Sequence, residues 1–136
     1  MRFSRLALLI SLLAVACSPK LGPDKDWAEG RWLLVELKEV PVQISGNQDK
    51  NAHLEFYPSS RTYKGFGGCH PISGNYDVSK RSIKFRPGPA PKESCPDVPF
   101  EAVFLQTLYD IDGYELNGDI MSLKDGRKTL IKLQRK

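Results

Sequence analysis

The sequence predicts an α+β fold, a curved antiparallel β-sheet or incomplete barrel of about eight strands with one packed helix. Two observations support this prediction. Short apolar stretches alternate with turns rich in Gly, Pro, Asn and Asp, which is typical of antiparallel strands joined by tight connections. One later stretch has its apolar residues at helical spacing instead, so we expect a single helix packed on the open side of the sheet.

The strands are predicted from alternating apolar and polar residues between turn signals. Leu54 and Phe56, for example, share one face of their strand. The dipeptides Asn117-Gly118 and Asp125-Gly126 are strong signals for two-residue hairpin turns. Residues 41–51 are polar and are expected to form a loop. The predicted strands cover residues 31–37, 52–57, 62–66, 73–78, 82–86, 114–117, 120–124 and 128–134.

A helix is predicted to begin at Asp97 and to end near residue 108. Asp97 can serve as the N-cap, and Pro99 then falls in the first turn, where its missing N–H group costs little. The apolar residues that share one face at helical spacing are Phe100, Val103, Phe104 and Leu108. We expect this face to pack against the sheet rather than to bind a ligand.

The N-terminus has the pattern of a bacterial signal peptide, which we assign to residues 1–16. Two arginines precede an apolar run over residues 6–14, and this run is shorter than the ~20 apolar residues that a membrane-spanning helix needs. Small residues at Ala14 and Ala16 then lead to Cys17, as expected where a lipid is attached to a cysteine. The same small residues also fit an ordinary signal peptidase, which would release a soluble protein.

Lipidation of Cys17 would anchor the mature chain to a membrane of the cell envelope. Residues 17–28 are rich in Pro, Gly and charged side chains and are expected to form a flexible tether. Residues 29–136 are then expected to form one domain, which is long enough for a hydrophobic core. Ser18 stands where Asp signals inner-membrane retention in some bacteria, so we expect the outer membrane, facing the periplasm.

The cysteine count agrees with export from the cytoplasm. The chain has three cysteines, and lipidation of Cys17 leaves Cys69 and Cys95 as a pair. In an oxidising compartment such a pair is expected to form a disulfide. Two free, buried thiols are the alternative. A metal site is not expected, because the sequence has neither a Cys-x-x-Cys spacing nor a second histidine cluster.

A longer pattern connects these cysteines with glycines and with the helix. Residues 64–70 read Lys-Gly-Phe-Gly-Gly-Cys-His, and residues 74–76 read Gly-Asn-Tyr. Cys95 precedes the helix, which carries Glu101. This order resembles the META domain, the family of the heat-shock protein HslJ, over about residues 27–135. The chain differs from the family pattern at His70, where the family usually has Asn.

The resemblance implies a small, barrel-like envelope protein without enzymatic activity. Family members are often lipoproteins, and some are associated with stress tolerance. We therefore expect a stress-related or protein-interaction module that is monomeric and held on the membrane through Cys17. Its partner would be another envelope protein.

The alternative function is a carrier that holds a lipid or a small apolar ligand inside the half-barrel. Residues such as Phe56, Phe66 and Phe104 would then line a pocket. If Trp32, Phe104 and Leu108 fill the interior instead, the carrier has no cavity, and an exposed apolar patch becomes the candidate binding site.

The sequence contains no arrangement that we assign to catalysis, to a metal or to another cofactor. Cys69 and His70 are neighbours, but adjacent side chains in an extended chain point to opposite sides, and a disulfide would remove the thiolate. His53 is expected on the solvent-facing side of its strand. Asp110 and Asp112 follow the helix but lack the remaining positions of a calcium loop.

Nucleic-acid binding is not expected either. The chain has 20 basic and 16 acidic residues, a formal net charge of +4, and two of the arginines belong to the signal peptide. No cluster of basic residues is interleaved with aromatic ones, as a nucleic-acid-binding groove requires.

Overall fold

The computed structural model describes residues 28–136, in which antiparallel strands form a closed β-barrel with one α-helix. Eight strands make the wall, and a two-residue strand, β2, pairs with the end of β1. The strands are β1 (Arg31–Leu37), β2 (Val40–Pro41), β3 (His53–Tyr57), β4 (Thr62–Phe66), β5 (Pro71–Ser79), β6 (Ser82–Pro87), β7 (Gly113–Asn117), β8 (Ile120–Asp125) and β9 (Lys128–Arg135). The helix α1 (Phe100–Asp110) connects β6 to β7, and a 3-10 helix (Gln48–Lys50) lies between β2 and β3.

The barrel closes because β1 and β9 pair with each other. Trp32 lies opposite Arg135, and Leu37 lies opposite Ile131. The other edge of β1 is shared between β3 and β2. The predicted α+β class, with an antiparallel sheet and one helix, is confirmed. The structure adds that the barrel is closed, which the sequence pattern alone did not decide.

Among the neighbouring strands of the barrel wall, β6 and β7 have the fewest paired residues. These strands share a single paired position, Ser82 opposite Gly113. The helix α1 lies between these strands in the chain and packs against β6, and its residues Phe104 and Leu108 are completely buried. The helix therefore sits beside the part of the wall that has the fewest strand pairings.

The barrel interior is filled by apolar side chains that form one cluster. Phe56 and Tyr76 meet edge to face, with ring centroids 5.4 Å apart, and Tyr63 and Phe85 do the same at 5.5 Å. Burial of large aromatic side chains is a major source of stability. The largest fully buried side chains include Trp32, Tyr63, Tyr76, Phe104, Leu108 and Met121.

The predicted strands agree with the observed ones to within two residues at each end. The predicted helix start is wrong. The helix begins at Phe100, with Pro99 at the N-cap position and no side-chain cap hydrogen bond. The reason is a turn before it, in which the N–H of Val98 donates to the carbonyl of Cys95 (3.0 Å), so Asp97 lies inside that turn.

Within residues 28–136, no helix is both long and apolar enough to cross a membrane. The predicted signal peptide, Cys17 and most of the predicted tether lie outside the described residues.

Candidate functional site

Cys69 and Cys95 form a disulfide, with their Cα atoms 6.3 Å apart. Cys69 lies in the connection between β4 and β5, which we refer to as the disulfide turn (residues 67–70). Cys95 lies in the proline-rich loop before α1. The bond therefore fastens the barrel wall to the segment that leads into the helix.

Glu101, in the first turn of α1, binds the disulfide turn through hydrogen bonds. Its buried carboxylate accepts from the backbone N–H groups of Cys69 (2.8 Å) and His70 (2.7 Å) through Oε2. Oε1 lies 2.6 Å from Nδ1 of His70. Because a carboxylate can only accept, Nδ1 carries the hydrogen and donates it. Three donors thus converge on one carboxylate, as in the backbone nests that bind anions.

The surroundings of Glu101 favour its ionised form. Burial by itself raises the pKa of this carboxyl group, because desolvation of a charge is costly. The hydrogen bonds from the His70 side chain and from the backbone of His70 and Cys69 outweigh burial, and the pKa lies below its ordinary value. Glu101 is therefore a carboxylate at neutral pH.

Two glycines allow the helix to approach the disulfide turn this closely. A Cβ at Gly67 would lie 2.6 Å from Oε2 of Glu101, and one at Gly68 would lie 2.7 Å from the ring of Phe100. Gly68 also has a φ of +109°, which side chains disfavour. The Gly-Gly pair is thus a steric requirement of the contact between the turn and α1.

His70 lies beside both sulfur atoms. Its Nε2 is 3.9 Å from Sγ of Cys69 and 4.0 Å from Sγ of Cys95. The expectation that Cys69 and His70 point to opposite sides is wrong, because the two residues lie in a bend rather than in an extended strand. Neither sulfur is a thiolate while the disulfide is formed, so neither cysteine can act as a nucleophile in the oxidised cluster.

His53 is buried, which corrects the expectation of a solvent-facing side chain. Only 8% of the residue is exposed. His53 lies in β3, which is paired on both sides, and it lies opposite Leu33 of β1 and Phe66 of β4. Its ring stacks on the ring of Phe66, with centroids 6.4 Å apart. Its Nδ1 is 2.8 Å from the carbonyl oxygen of Asn51. His53 therefore has a structural role.

Asp110 and Asp112 do not both follow the helix, because α1 extends two residues beyond its predicted end and includes Asp110. Asp110 is exposed at the last position of α1. Oδ1 of Asp112 accepts a hydrogen bond from the N–H of Gly126 (2.9 Å), and its own N–H donates to the carbonyl of Lys124 (2.8 Å). Asp112 thus fastens the β8–β9 turn to the helix exit.

Two surface grooves flank α1. One, which we refer to as the hairpin groove, has a volume of about 460 Å³ and lies between the β1–β2 hairpin and the helix. Its apolar lining consists mainly of Leu37, Val40, Val42, Phe100 and Val103. The other, of about 480 Å³, lies between α1 and the loop that carries Cys95, with Leu105 and Tyr109 on the helix side.

The barrel interior formed by residues 28–136 has no room for a ligand between the side chains that would line its cavity, because these side chains pack against one another. Trp32, Phe104 and Leu108 are completely buried in one cluster, and Phe56 is 4% exposed. Phe66 is partly buried and stacks on the ring of His53. The packing of the described residues therefore does not support a ligand inside the barrel.

Sequence reasoning identified both cysteines but missed the role of Glu101. This residue lies 31 and 32 positions from its partners His70 and Cys69, so no local pattern indicates the contact. One signal was present. Glu101, Phe104 and Leu108 share one helix face, and a carboxylate on a buried face needs hydrogen-bond partners.

The fold and the site together define a class of protein, a small antiparallel β-barrel whose helix is fastened to the wall by a disulfide and a buried carboxylate. The family model of the META domain matches residues 25–136, and the chain belongs to this family. The resemblance inferred from the sequence is thereby confirmed. A search of curated protein sequences finds no significant match to the chain.

Solved structures share the fold at low sequence identity. A DUF4847 family protein from Bacteroides vulgatus is 14% identical with a TM-score of 0.64, and the match covers 85% of this chain and 98% of that one. A protein from Burkholderia xenovorans, solved by NMR, is 20% identical with a TM-score of 0.59, and the match covers 79% and 81%. These likenesses concern the fold.

Proposed function

We propose that this chain is a lipid-anchored, non-enzymatic binding module of the cell envelope that holds a short apolar segment of another envelope protein in the hairpin groove. Membership of the META-domain family supports the class of module. The sequence pattern around Cys17 supports the anchor and the envelope location. The observation that carries the binding role is the hairpin groove itself.

The hairpin groove exposes apolar side chains that face each other across a cleft. Val40 is 63% exposed and Val103 is 42% exposed, and the two belong to different elements, β2 and α1. Lys38 and Gln43 supply polar groups among an otherwise apolar lining. A concave apolar surface with a few polar groups is the usual composition of a binding site. Lys38 would favour an acidic residue beside the apolar segment of the partner.

The hairpin that forms one side of this groove has a strained backbone. Lys38 and Glu39, the two residues between the paired Leu37 and Val40, have φ values of +48° and +66°. Residues other than glycine pay about 1 kcal/mol or more for this conformation. A two-residue hairpin turn of type I′ requires positive φ at both central residues, and this turn brings Val40 to the lining of the groove.

Photo-crosslinking in intact cells tests the proposal. A photoreactive residue at position 40 of the full-length chain should form a crosslink to one envelope protein. Position 57 is the matched control, because Tyr57 is 40% exposed and lies outside the groove. The substitution Val103→Asp should abolish the crosslink from position 40. A crosslink that survives this substitution, or that also forms from position 57, would overturn the proposal. A crosslink to lipid instead of protein would also overturn it.

Metabolic labelling with a fatty-acid analogue tests the anchor. The wild-type chain should be labelled and Cys17→Ala should not, because the thiol of Cys17 accepts the lipid. Label that survives the substitution would remove the basis for the anchor.

Membrane fractionation tests the location. The wild-type chain should sediment with the outer membrane, and Ser18→Asp should move it to the inner membrane. Equal distributions of the two chains would contradict the assignment.

The stress-related role rests on the family resemblance. A strain without this chain should survive heat shock less well than the same strain complemented with wild type, and complementation with Val103→Asp should fail. Equal survival of the three strains would count against this part of the proposal.

A further inference from the structure

We propose that Cys69, His70 and Cys95 form a Zn²⁺ site when their disulfide is reduced, so that the oxidation state of the cysteine pair controls metal binding. This site lies apart from the hairpin groove and does not depend on the proposed binding function.

The three side chains already lie close to the separations that a metal site needs. Their ligand atoms all lie within 4.8 Å of one another, and Nε2 of His70 is 3.9 Å and 4.0 Å from the two sulfur atoms. Zn²⁺ binds sulfur at about 2.3 Å and imidazole nitrogen at about 2.0 Å, which places neighbouring ligand atoms of a tetrahedral site about 3.5–3.8 Å apart. Once the bond between the sulfur atoms is broken, small movements of the three side chains bring their ligand atoms to these separations.

Glu101 prepares the imidazole for this role. Nδ1 of His70 donates to Oε1 of Glu101 (2.6 Å), so Nε2 is the ring nitrogen left to bind a metal. Nε2 lies 3.9 Å from Sγ of Cys69 and 4.0 Å from Sγ of Cys95, and Nδ1 also lies 3.9 Å from Sγ of Cys95, so the ring must turn slightly to direct Nε2 at the metal. A carboxylate behind the imidazole is the usual outer partner of a metal-binding histidine, because it orients the ring and raises its basicity. Oε2 of Glu101 accepts hydrogen bonds from two backbone N–H groups, so the carboxylate is held in place as the hydrogen-bond partner of the His70 ring.

The site is accessible from the surface. The side chain of His70 is 25% exposed, and both cysteines are partly buried. A groove of about 450 Å³ lined by residues that include His70, Lys92 and Glu93 opens beside it. Three protein ligands leave a fourth position of Zn²⁺ for water or for another ligand.

Formation of the site requires reduction of the disulfide. A dithiol transfers two electrons and two protons to the Cys69–Cys95 bond, which breaks into two thiols, while the dithiol becomes a disulfide. A phosphine gives the same two thiols, while it takes an oxygen atom from water and becomes a phosphine oxide. Zn²⁺ then displaces both thiol protons, and two Zn–S bonds and one Zn–N bond form with release of two protons. The proposed site thus departs from the expectation that the chain holds no metal.

Titration with Zn²⁺ against a chromophoric chelator tests the proposal. Every form of the full-length chain carries Cys17→Ala, so Cys69 and Cys95 are its only thiols. The protein reduced with a phosphine should bind one Zn²⁺ at least about tenfold more tightly than the oxidised protein, and than reduced His70→Asn. His53→Asn is the matched control, because His53 lies outside the cluster, and it should bind like the parent chain.

Thermal unfolding of the reduced chain provides a second measurement, because an unfolded chain can also bind metals through Cys and His. Zn²⁺ should raise the unfolding midpoint of the reduced parent chain and leave that of His70→Asn unchanged. Co²⁺ should give thiolate-to-metal charge-transfer absorption with the parent chain alone.

Three outcomes would overturn the metal site. They are equal Zn²⁺ affinity of the oxidised and reduced forms, equal affinity of the reduced parent and His70→Asn, and a reduced chain that is unfolded and that Zn²⁺ does not refold. None of them affects crosslinking at position 40, so failure of the metal site and failure of the groove proposal are distinguishable.

Discussion

The disulfide turn and the hairpin groove both contact the start of α1, but they are built from opposite kinds of interaction. In the disulfide turn, a covalent bond and a buried carboxylate hold the helix to the wall. In the hairpin groove, apolar side chains face each other across open space, and the backbone of Lys38 and Glu39 is strained. Glu101 belongs to the first region, and its neighbour Phe100 lines the second.

This contrast separates the part of the fold that is fastened from the groove that we propose as the binding site. Phe100 connects the two regions, because its ring closely approaches Gly68 and also lines the groove. Substitutions in the disulfide turn should therefore lower the free energy of unfolding. Substitutions on the exposed side of the groove should weaken binding and leave that free energy almost unchanged.

Removal of the disulfide should have the largest effect. The double substitution Cys69→Ser and Cys95→Ser should lower the free energy of unfolding by about 3.5 kcal/mol, because it frees a long loop in the unfolded chain. The cysteines are separated by 26 positions. Urea unfolding measures the loss, with Cys17→Ala as the control that should not change it. A loss below about 1 kcal/mol would show that the turn is held without the bond.

Glu101→Ala should lower the free energy of unfolding by about 3 kcal/mol. The backbone N–H groups of Cys69 and His70 and the Nδ1–H of His70 would lose their acceptor. Glu93→Ala, in the exposed loop nearby, should change stability by less than about 0.5 kcal/mol. Equal effects of the two substitutions in urea unfolding would mean that the carboxylate does not fasten the turn.

Gly67→Ala should lower the free energy of unfolding by about 2 kcal/mol, because the added methyl group would overlap the Glu101 carboxylate and push the helix away from the disulfide turn. Gly46→Ala is the matched control, since a Cβ there would meet nothing within 4 Å. Thermal unfolding compares the two chains. If both are as stable as wild type, the close approach of α1 to the turn is not required.

Acidification should weaken the disulfide turn by a smaller amount, since a protonated carboxyl group can still accept from the backbone. The Glu101 carboxyl has a lower pKa in the folded chain than its ordinary value of 4.5, so the unfolded chain binds the proton first as pH falls. This part of the stability is complete above about pH 4.5 and is lost as pH falls toward the folded pKa. Glu101→Gln should show a shallower pH dependence of urea unfolding below pH 4.5. Parallel profiles of wild type and variant would contradict this assignment.

Val103→Ser should have the smallest effect on stability, within about 0.5 kcal/mol, because this side chain is 42% exposed. It should nevertheless reduce crosslinking from position 40, since it removes apolar surface from the groove. A large loss of stability without loss of crosslinking would reverse the roles assigned to the two regions.

Much of the secondary structure could be predicted because its signals are local. The strand over residues 62–66 is bounded by turn residues, and the helix has its apolar side chains at the correct spacing. The start of the helix was misplaced for an equally local reason. Asp97 is a good N-cap residue by type, but the turn between Cys95 and Val98 already contains it.

The sequence by itself determined the α+β class, the family, the positions of the eight wall strands and the presence of a cysteine pair. These features depend on periodicity, turn residues and composition, which a linear pattern records. Only the tertiary structure decided that β1 pairs with β9 and that Glu101 reaches the disulfide turn. It also decided that His70 faces both sulfur atoms. These contacts join residues far apart in the chain or at a bend, and they depend on strand register and barrel closure, which arise when the whole chain packs.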